Sequence, residues 1–452
     1  MSVLRSPIFP EEALTCTLAL DSDGDALMPN LPEIATAKNS ALEIYIVPTE
    51  DTLFVQGFKP AEYELRPPCL LRGLLVVRVL RSTRIRSIVL KFSGILQTNW
   101  PEGIPPKRNV YEETKDLVQH SWPFFQLKSG HQGQDAHIYL SSSLTPVNSF
   151  TDLHSGMLPG TDKNGVFAPG DYVYNFEHLV PALSPETVEA TFGSVNYFLE
   201  ATISRQGTFK PVLRGKLPIT LIRVPLEISD GENEPIVIKR DWEDFLRYEI
   251  VVSSKAVVLD TYLPMSLTFI PLNGKVALHR IRVFITEECC YYCQGKKVRR
   301  SEPSRKFLLL EHKASMLQSL LCKDGRIADD ATDSTIEVLP RELEFQMFVP
   351  CTINKKFNFQ IHPDTAIENI QCTHWIKICL RLLKPNPQAR SKRKHFEITI
   401  DSPIHLYSPL ASRNNTLLPV YEREQEFLPH ATNIGYAEMD TDVHLDSNLY
   451  EP

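Results

Sequence analysis

Short runs of β-branched and aromatic residues recur along this 452-residue chain, each bounded by clusters of Pro, Gly, Asn and Asp. Segments 42–47, 74–80, 87–92, 195–203, 219–224, 248–252, 265–272, 277–287 and 396–400 all read as strands. Thirty-four prolines point the same way, because proline breaks helices yet fits turns, strand starts and sheet edges. The pattern predicts an all-β protein of antiparallel sandwiches. At about 150 residues per domain, the length allows two or three such units.

The junction is expected between Pro225 and Pro235, where strand 219–224 gives way to a polar, acidic, turn-rich stretch. The division is therefore a leader over 1–40, a first domain over 41–225, a linker over 226–234, a second domain over 235–408 and a mostly disordered tail over 409–452. Within the leader, Asp21-Ser22-Asp23-Gly24-Asp25 has the look of a calcium loop. It lacks the required Gly at loop position six and Glu at twelve, where Ala26 and Pro32 stand.

Charge and chemistry narrow the function classes. A net charge of -7 argues against a general nucleic-acid binder, which needs a concentrated basic surface. No apolar run approaches the ~18 residues of a membrane span, and Glu11 and Glu12 interrupt the place of a signal-peptide core, so the chain is expected in the cytosol. Nine irregularly spaced cysteines fit reduced thiols better than a disulfide framework. Cys289, Cys290 and Cys293 approach a zinc-ligand pair, but no second pair follows at zinc spacing, and buried thiols at a strand end are the expectation. No phosphate-binding glycine loop, dinucleotide fingerprint, zinc-protease helix or nucleophile elbow is present, which predicts a protein that is not an enzyme and has no cofactor or metal.

Several ordered blocks carry a family likeness. Leu70-Leu71-Arg72-Gly73-Leu74-Leu75 opens a strand continued by Val76-Val77-Arg78-Val79-Leu80, and Ile85-Arg86-Ser87-Ile88-Val89-Leu90-Lys91-Phe92-Ser93-Gly94 follows. Then come Trp100-Pro101-Glu102-Gly103-Ile104-Pro105-Pro106 and His120-Ser121-Trp122-Pro123-Phe124-Phe125. Tyr172-Val173-Tyr174-Asn175-Phe176-Glu177, Gly193-Ser194-Val195-Asn196-Tyr197-Phe198-Leu199-Glu200-Ala201 and Arg240-Asp241-Trp242-Glu243-Asp244 complete the series. Together, over residues 41–410, they resemble the fungal alpha-arrestins, or arrestin-related trafficking adaptors, of the branch associated with sugar-transporter turnover and carbon catabolite control. The resemblance implies two arrestin-like β-sandwiches. It also implies an adaptor that brings a WW-domain HECT-type ubiquitin ligase to membrane transporters and promotes their ubiquitination and endocytosis. Such a protein is cytoplasmic and recruited to the plasma membrane and endosomes.

Within that frame, Leu418-Pro419-Val420-Tyr421 is a leucine variant of the Pro-Pro-x-Tyr motif that WW domains bind. Pro419 biases the chain toward polyproline II, while Leu418 and the Tyr421 ring suit apolar grooves. Many relatives carry a further Pro-Pro-x-Tyr, and this sequence shows none, which puts avidity from paired motifs in question. Lys239, beside Arg240-Asp241-Trp242, is the candidate ubiquitin acceptor, set against a solvated charge at a strand start. Arg390, Lys392, Arg393 and Lys394 are expected in a hairpin loop, as candidate contacts to an anionic membrane at about 1 kcal/mol each. Trp100 is expected in a packed loop with Trp122, Phe124 and Phe125. The competing readings are a receptor-signalling arrestin scaffold, a retromer-like sorting subunit and an enzyme on a β-sandwich.

Overall fold

A computed structural model describes residues 31–57, 66–104, 106–127, 165–207, 210–224, 234–273, 276–314, 321, 339–354, 359–385 and 393–412. Among these residues there is no α-helix; the one helical element is a 3-10 turn at Pro409–Ala411. The strands of the first half are β1 (Ala37–Lys38), β2 (Leu42–Pro48), β3 (Thr52–Gln56), β4 (Cys69–Val79), β5 (Thr83–Glu102), β6 (Asn109–Gln126), β7 (Val166–Phe167), β8 (Gly170–Val180), β9 (Val188–Ala190), β10 (Gly193–Arg205) and β11 (Leu213–Val224). Those of the second half are β12 (Ile236–Trp242), β13 (Leu246–Val252), β14 (Ala256–Val258), β15 (Thr261–Pro271), β16 (Ala277–Cys293), β17 (Val298–Ser301), β18 (Arg305–Lys313), β19 (Glu342–Val349), β20 (Thr352–Asn354), β21 (Phe359–Gln360), β22 (Thr365–Ala366), β23 (Ile370–Pro385) and β24 (Arg393–Tyr407).

The two halves share one plan. In the first, a sheet β1-β2-β4-β8 faces a sheet β3-β11-β10-β5-β6; in the second, β12-β13-β15-β19 faces β14-β24-β23-β16-β17. Pairing is antiparallel except between β3 and β11 and between β14 and β24, where each sandwich takes one parallel strand at a sheet edge. Strict alternation drives the layering: β10 buries Val195, Tyr197, Leu199, Ala201 and Ile203 on one face, and β16 buries Ile281, Val283, Ile285, Glu287, Cys289, Tyr291 and Cys293. Burying such apolar side chains contributes roughly 1.5–3 kcal/mol each.

The structure changes three local expectations. β1 lies inside the stretch assigned to the leader, with Ala37 opposite Ile44. Trp100 belongs to β5 rather than a loop, is fully buried, and packs on Tyr111 across the β5–β6 hairpin with ring centroids 5.9 Å apart. Trp122 instead meets Phe176 and His178, Phe124 stacks on Tyr174, and Phe125 meets Phe167. Lastly, Arg393 and Lys394 are the first residues of β24, opposite Pro385 and Lys384, because the β23–β24 ladder runs further toward the turn than the basic composition suggests.

Candidate functional site: the buried polar seam between the sandwiches

The first sandwich's core does not close on itself. Its cluster includes Cys289, Tyr291, Cys293, Ile367, Ile370 and Cys372 from the second half, so the two sandwiches meet with β5 and β6 against β16 and Gly193 of β10 against Ile370 of β23. Phe192 packs edge-on to Tyr291 at 5.5 Å, with the Arg300 guanidinium 4.7 Å above the Phe192 ring. Thr98 Oγ1 and Asn369 Nδ2 donate to the Tyr292 carbonyl at 3.2 and 3.0 Å, and Lys115 Nζ donates to Asn369 Oδ1 at 2.9 Å. A cleft of about 390 Å³ lies at this seam, lined among others by Glu186, Arg223, Asp364 and Asn369.

Running inward from the cleft is a chain of ionisable groups, from exposed His405 through Asp364 to buried His374 and Glu287. Glu287 occupies an inward position of β16 and is fully enclosed. His362 donates its backbone amide to Glu287 Oε2 at 2.8 Å, and its Nδ1 lies 3.1 Å from the same oxygen. His374 Nε2 approaches that oxygen at 3.3 Å, while its Nδ1 engages Asp364, whose other oxygen is 2.8 Å from His405 Nδ1. Arg305 Nη1 lies 3.5 Å from Glu287 Oε1, and the Arg305 guanidinium also engages Glu302 and Thr191.

These contacts set the charges. Burial alone would push the Glu287 carboxyl up, but the hydrogen bonds from His362 and His374 outweigh it and hold it at about 2. Burial would likewise discharge the two imidazoles. Cys289 and Glu287 raise His362 to about 9, and Asp364 and Glu287 raise His374 to about 9. Cys289 and Cys372 have their Sγ atoms 2.8 Å apart and share one proton preference, with Cys289 the thiol held down and Cys372 the one pushed up. Glu287, Cys289, His362 and Cys372 are the described residues whose donor atoms could hold a metal ion together.

The residues expected from sequence lie elsewhere or outside the described chain. Leu418, Pro419 and Tyr421 fall outside the described residues, as do Arg390 and Lys392. Lys394 is exposed at the start of β24. Lys239 lies in the middle of β12, opposite Glu249, with its ammonium 2.9 Å from that carboxylate and its side chain 67% exposed. The seam cluster was not anticipated. Its one local signal is an acid and two imidazole or thiol positions standing at inward places of otherwise apolar alternations, Glu287 on β16 and Cys372 and His374 on β23.

Two sandwiches of one plan, joined through a buried polar seam, define an arrestin. Residues 70–224 match the family model described as the arrestin (or S-antigen) N-terminal domain, and 242–410 match its C-terminal domain. Arrestin-related trafficking adapter 3 of Saccharomyces cerevisiae is 33% identical, aligned over 99% of this chain and 54% of that protein. Two Schizosaccharomyces pombe proteins named as arrestin-related trafficking adapters are 34% and 33% identical, over 87% and 91% of this chain and 58% and 79% of theirs. An Aspergillus clavatus protein named as a HECT-type ubiquitin ligase-interacting protein is 22% identical over 53% of the chain and 38% of its own length. The chain belongs to the arrestin family, among the arrestin-related trafficking adapters. It spans just over half the length of the first two relatives.

Proposed function

We propose that this protein is an adaptor linking membrane transporters or permeases to a WW-domain HECT-type ubiquitin ligase, so that the transporter is ubiquitinated and removed by endocytosis. The observation that carries the reading is Leu418-Pro419-Val420-Tyr421, a WW-binding pattern that follows the last arrestin strand, β24, by about ten residues. Its sandwiches belong to a family with relatives named as trafficking adapters and as HECT-type ligase-interacting proteins. The adaptor supplies effective concentration: ligase and transporter held on one chain meet as if intramolecular. No covalent chemistry is required of the adaptor itself.

Three finer assignments accompany the proposal. The two arrestin units are 41–225 and 235–408, with β1 added to the first by its pairing with β2. Lys239 is the ubiquitin acceptor, an exposed ammonium whose cross-strand neighbour Glu249 holds it only by a surface ion pair of small worth. Arg390, Lys392, Arg393 and Lys394 meet the anionic cytoplasmic leaflet of the plasma membrane or endosome. A signalling scaffold or a retromer-like subunit has no use for Leu418 to Tyr421, and that motif favours the ligase adaptor over both.

Surface biotinylation of cells expressing wild type or the P419A/Y421A variant, before and after a change of carbon source, tests the reading. The expected result is that some transporters leave the surface with wild type and stay with the variant. Equal clearance of all of them by both contradicts it.

A further inference from the structure

Four buried donor atoms converge at the seam from three separate segments. β16 and β23 run antiparallel with Cys289 opposite Cys372 and Glu287 opposite His374. Residues two apart on a strand share a face, so these four side chains form a two-by-two patch on the inward side of the sheet. His362, from the segment between β21 and β22, closes over the patch with its ring nitrogen and amide on Glu287. One donor atom from each of Glu287, Cys289, His362 and Cys372 lies within 4.8 Å of every other, and all four residues are buried.

We propose that Cys289, Cys372, His362 and Glu287 form a structural zinc site that pins β16, β23 and the His362 segment together at the junction of the two sandwiches. Two thiolates, an imidazole and a carboxylate are the donor types tetrahedral zinc takes, at about 2.3 Å for sulfur and about 2.0–2.2 Å for nitrogen and oxygen. Tetrahedral angles at those lengths set two sulfurs about 3.8 Å apart, so the Cys289 and Cys372 sulfurs need to part by about 1 Å from their 2.8 Å separation. Two thiolates and a carboxylate bring three negative charges, of which zinc would neutralise two, and the Arg305 guanidinium lies 3.5 Å from Glu287 Oε1.

An outer layer is already built. His374 Nε2 holds the ligating Glu287, Asp364 holds His374, and His405 holds Asp364. Hydrogen-bonded partners of this kind orient metal ligands and sharpen their affinity. A disulfide between Cys289 and Cys372 would engage the two sulfurs but give no role to the convergence of His362 and Glu287 on the same point. Cys289 and Cys372 also pack in the core shared with the first sandwich, so the metal would stiffen the very contact that sets the two sandwiches against each other.

The test uses the full chain without a histidine tag. Plasma mass spectrometry should find about one zinc per chain, and cobalt(II) added to the chelator-stripped protein should give the visible bands of a tetrahedral site plus a thiolate charge-transfer band. C289S/C372S should lose both, H362Q should lose most of the cobalt signal, and C290S should keep everything. Wild type needs no variant to fold, so absence of both zinc and cobalt bands there overturns the site. Zinc retained at full stoichiometry in C289S/C372S overturns it too, as does an intact mass two daltons low, mapped to a Cys289–Cys372 disulfide.

Discussion

Arg223 donates to Glu186 at 3.0 Å where the first sandwich ends, and the other oxygen of Glu186 accepts from Thr365 of the second. Arg223 is the penultimate residue of β11, with a side chain only 5% exposed, and it also donates to the carbonyls of Gly57, Ala182 and Ser184. The guanidinium thus satisfies carbonyls of its own domain while fixing the carboxylate that reaches across the seam. Breaking a buried pair by removing one partner strands the other charge, at about 3–5 kcal/mol. Arg223→Met should lower stability by that order in denaturant unfolding. Arg223→Met combined with Glu186→Gln should recover part of the loss, since no carboxylate is then left unpaired. Equal loss in both would show that the carbonyl contacts dominate.

Gly73 sits opposite Pro48 in the β2–β4 pair, and a Cβ there would lie 2.4 Å from the Val47 carbonyl oxygen and 2.6 Å from the Pro48 Cα. Both are backbone atoms and cannot rotate aside. Gly73→Ala should push β2 off β4 and cost about 1–3 kcal/mol, read as a lowered thermal midpoint. An unchanged midpoint would mean that the two strands separate freely there.

His178 stacks on His120 at 4.5 Å and meets Trp122 edge-on. Burial, with a smaller contribution from His120, holds its pKa below 6.5. The unfolded chain therefore binds this proton more readily than the native one. Above the ordinary value both states are neutral and His178 adds nothing; as pH falls through about 6.5 stability drops, and the drop levels off below the native pKa. Wild type should lose more thermal stability than His178→Gln between about pH 7.5 and pH 5.5. Parallel curves for the two would contradict the assignment.

The basic residues that run into β24 invite a surface test. If the cluster meets a membrane rather than the core, reversing Lys392, Arg393 and Lys394 to Glu should alter stability by no more than about 0.5 kcal/mol each. Co-sedimentation with anionic vesicles should fall and become less sensitive to salt, because the attraction is screened over about 8 Å at physiological ionic strength. Equal binding by the reversed protein would contradict a membrane contact through these residues.

Alternation along β10 and β16 made the sandwiches readable from sequence, because burial every second residue is a local property. Trp100 misled because Pro101, Gly103 and Pro105 mark a turn, while the β5–β6 ladder carries the strand past the tryptophan as far as Glu102 opposite Asn109. The seam cluster could not be assembled from sequence for a different reason. Cys289 and Cys372 are 83 residues apart and meet only through the β16–β23 register, a pairing that ligand spacing along the chain does not encode. Leu418, Pro419 and Tyr421 rest on sequence alone, since a four-residue docking peptide is proposed from its residue types without tertiary structure.

If the segment holding Leu418 to Tyr421 is a ligase handle, titrating isolated WW domains into the 452-residue chain by calorimetry tests it most directly. Wild type should bind with one motif per chain, and replacing Pro419 and Tyr421 with Ala should abolish the heat of binding while the thermal unfolding curve stays where it was. Unaltered binding by that variant, or no binding by wild type, would contradict the claim.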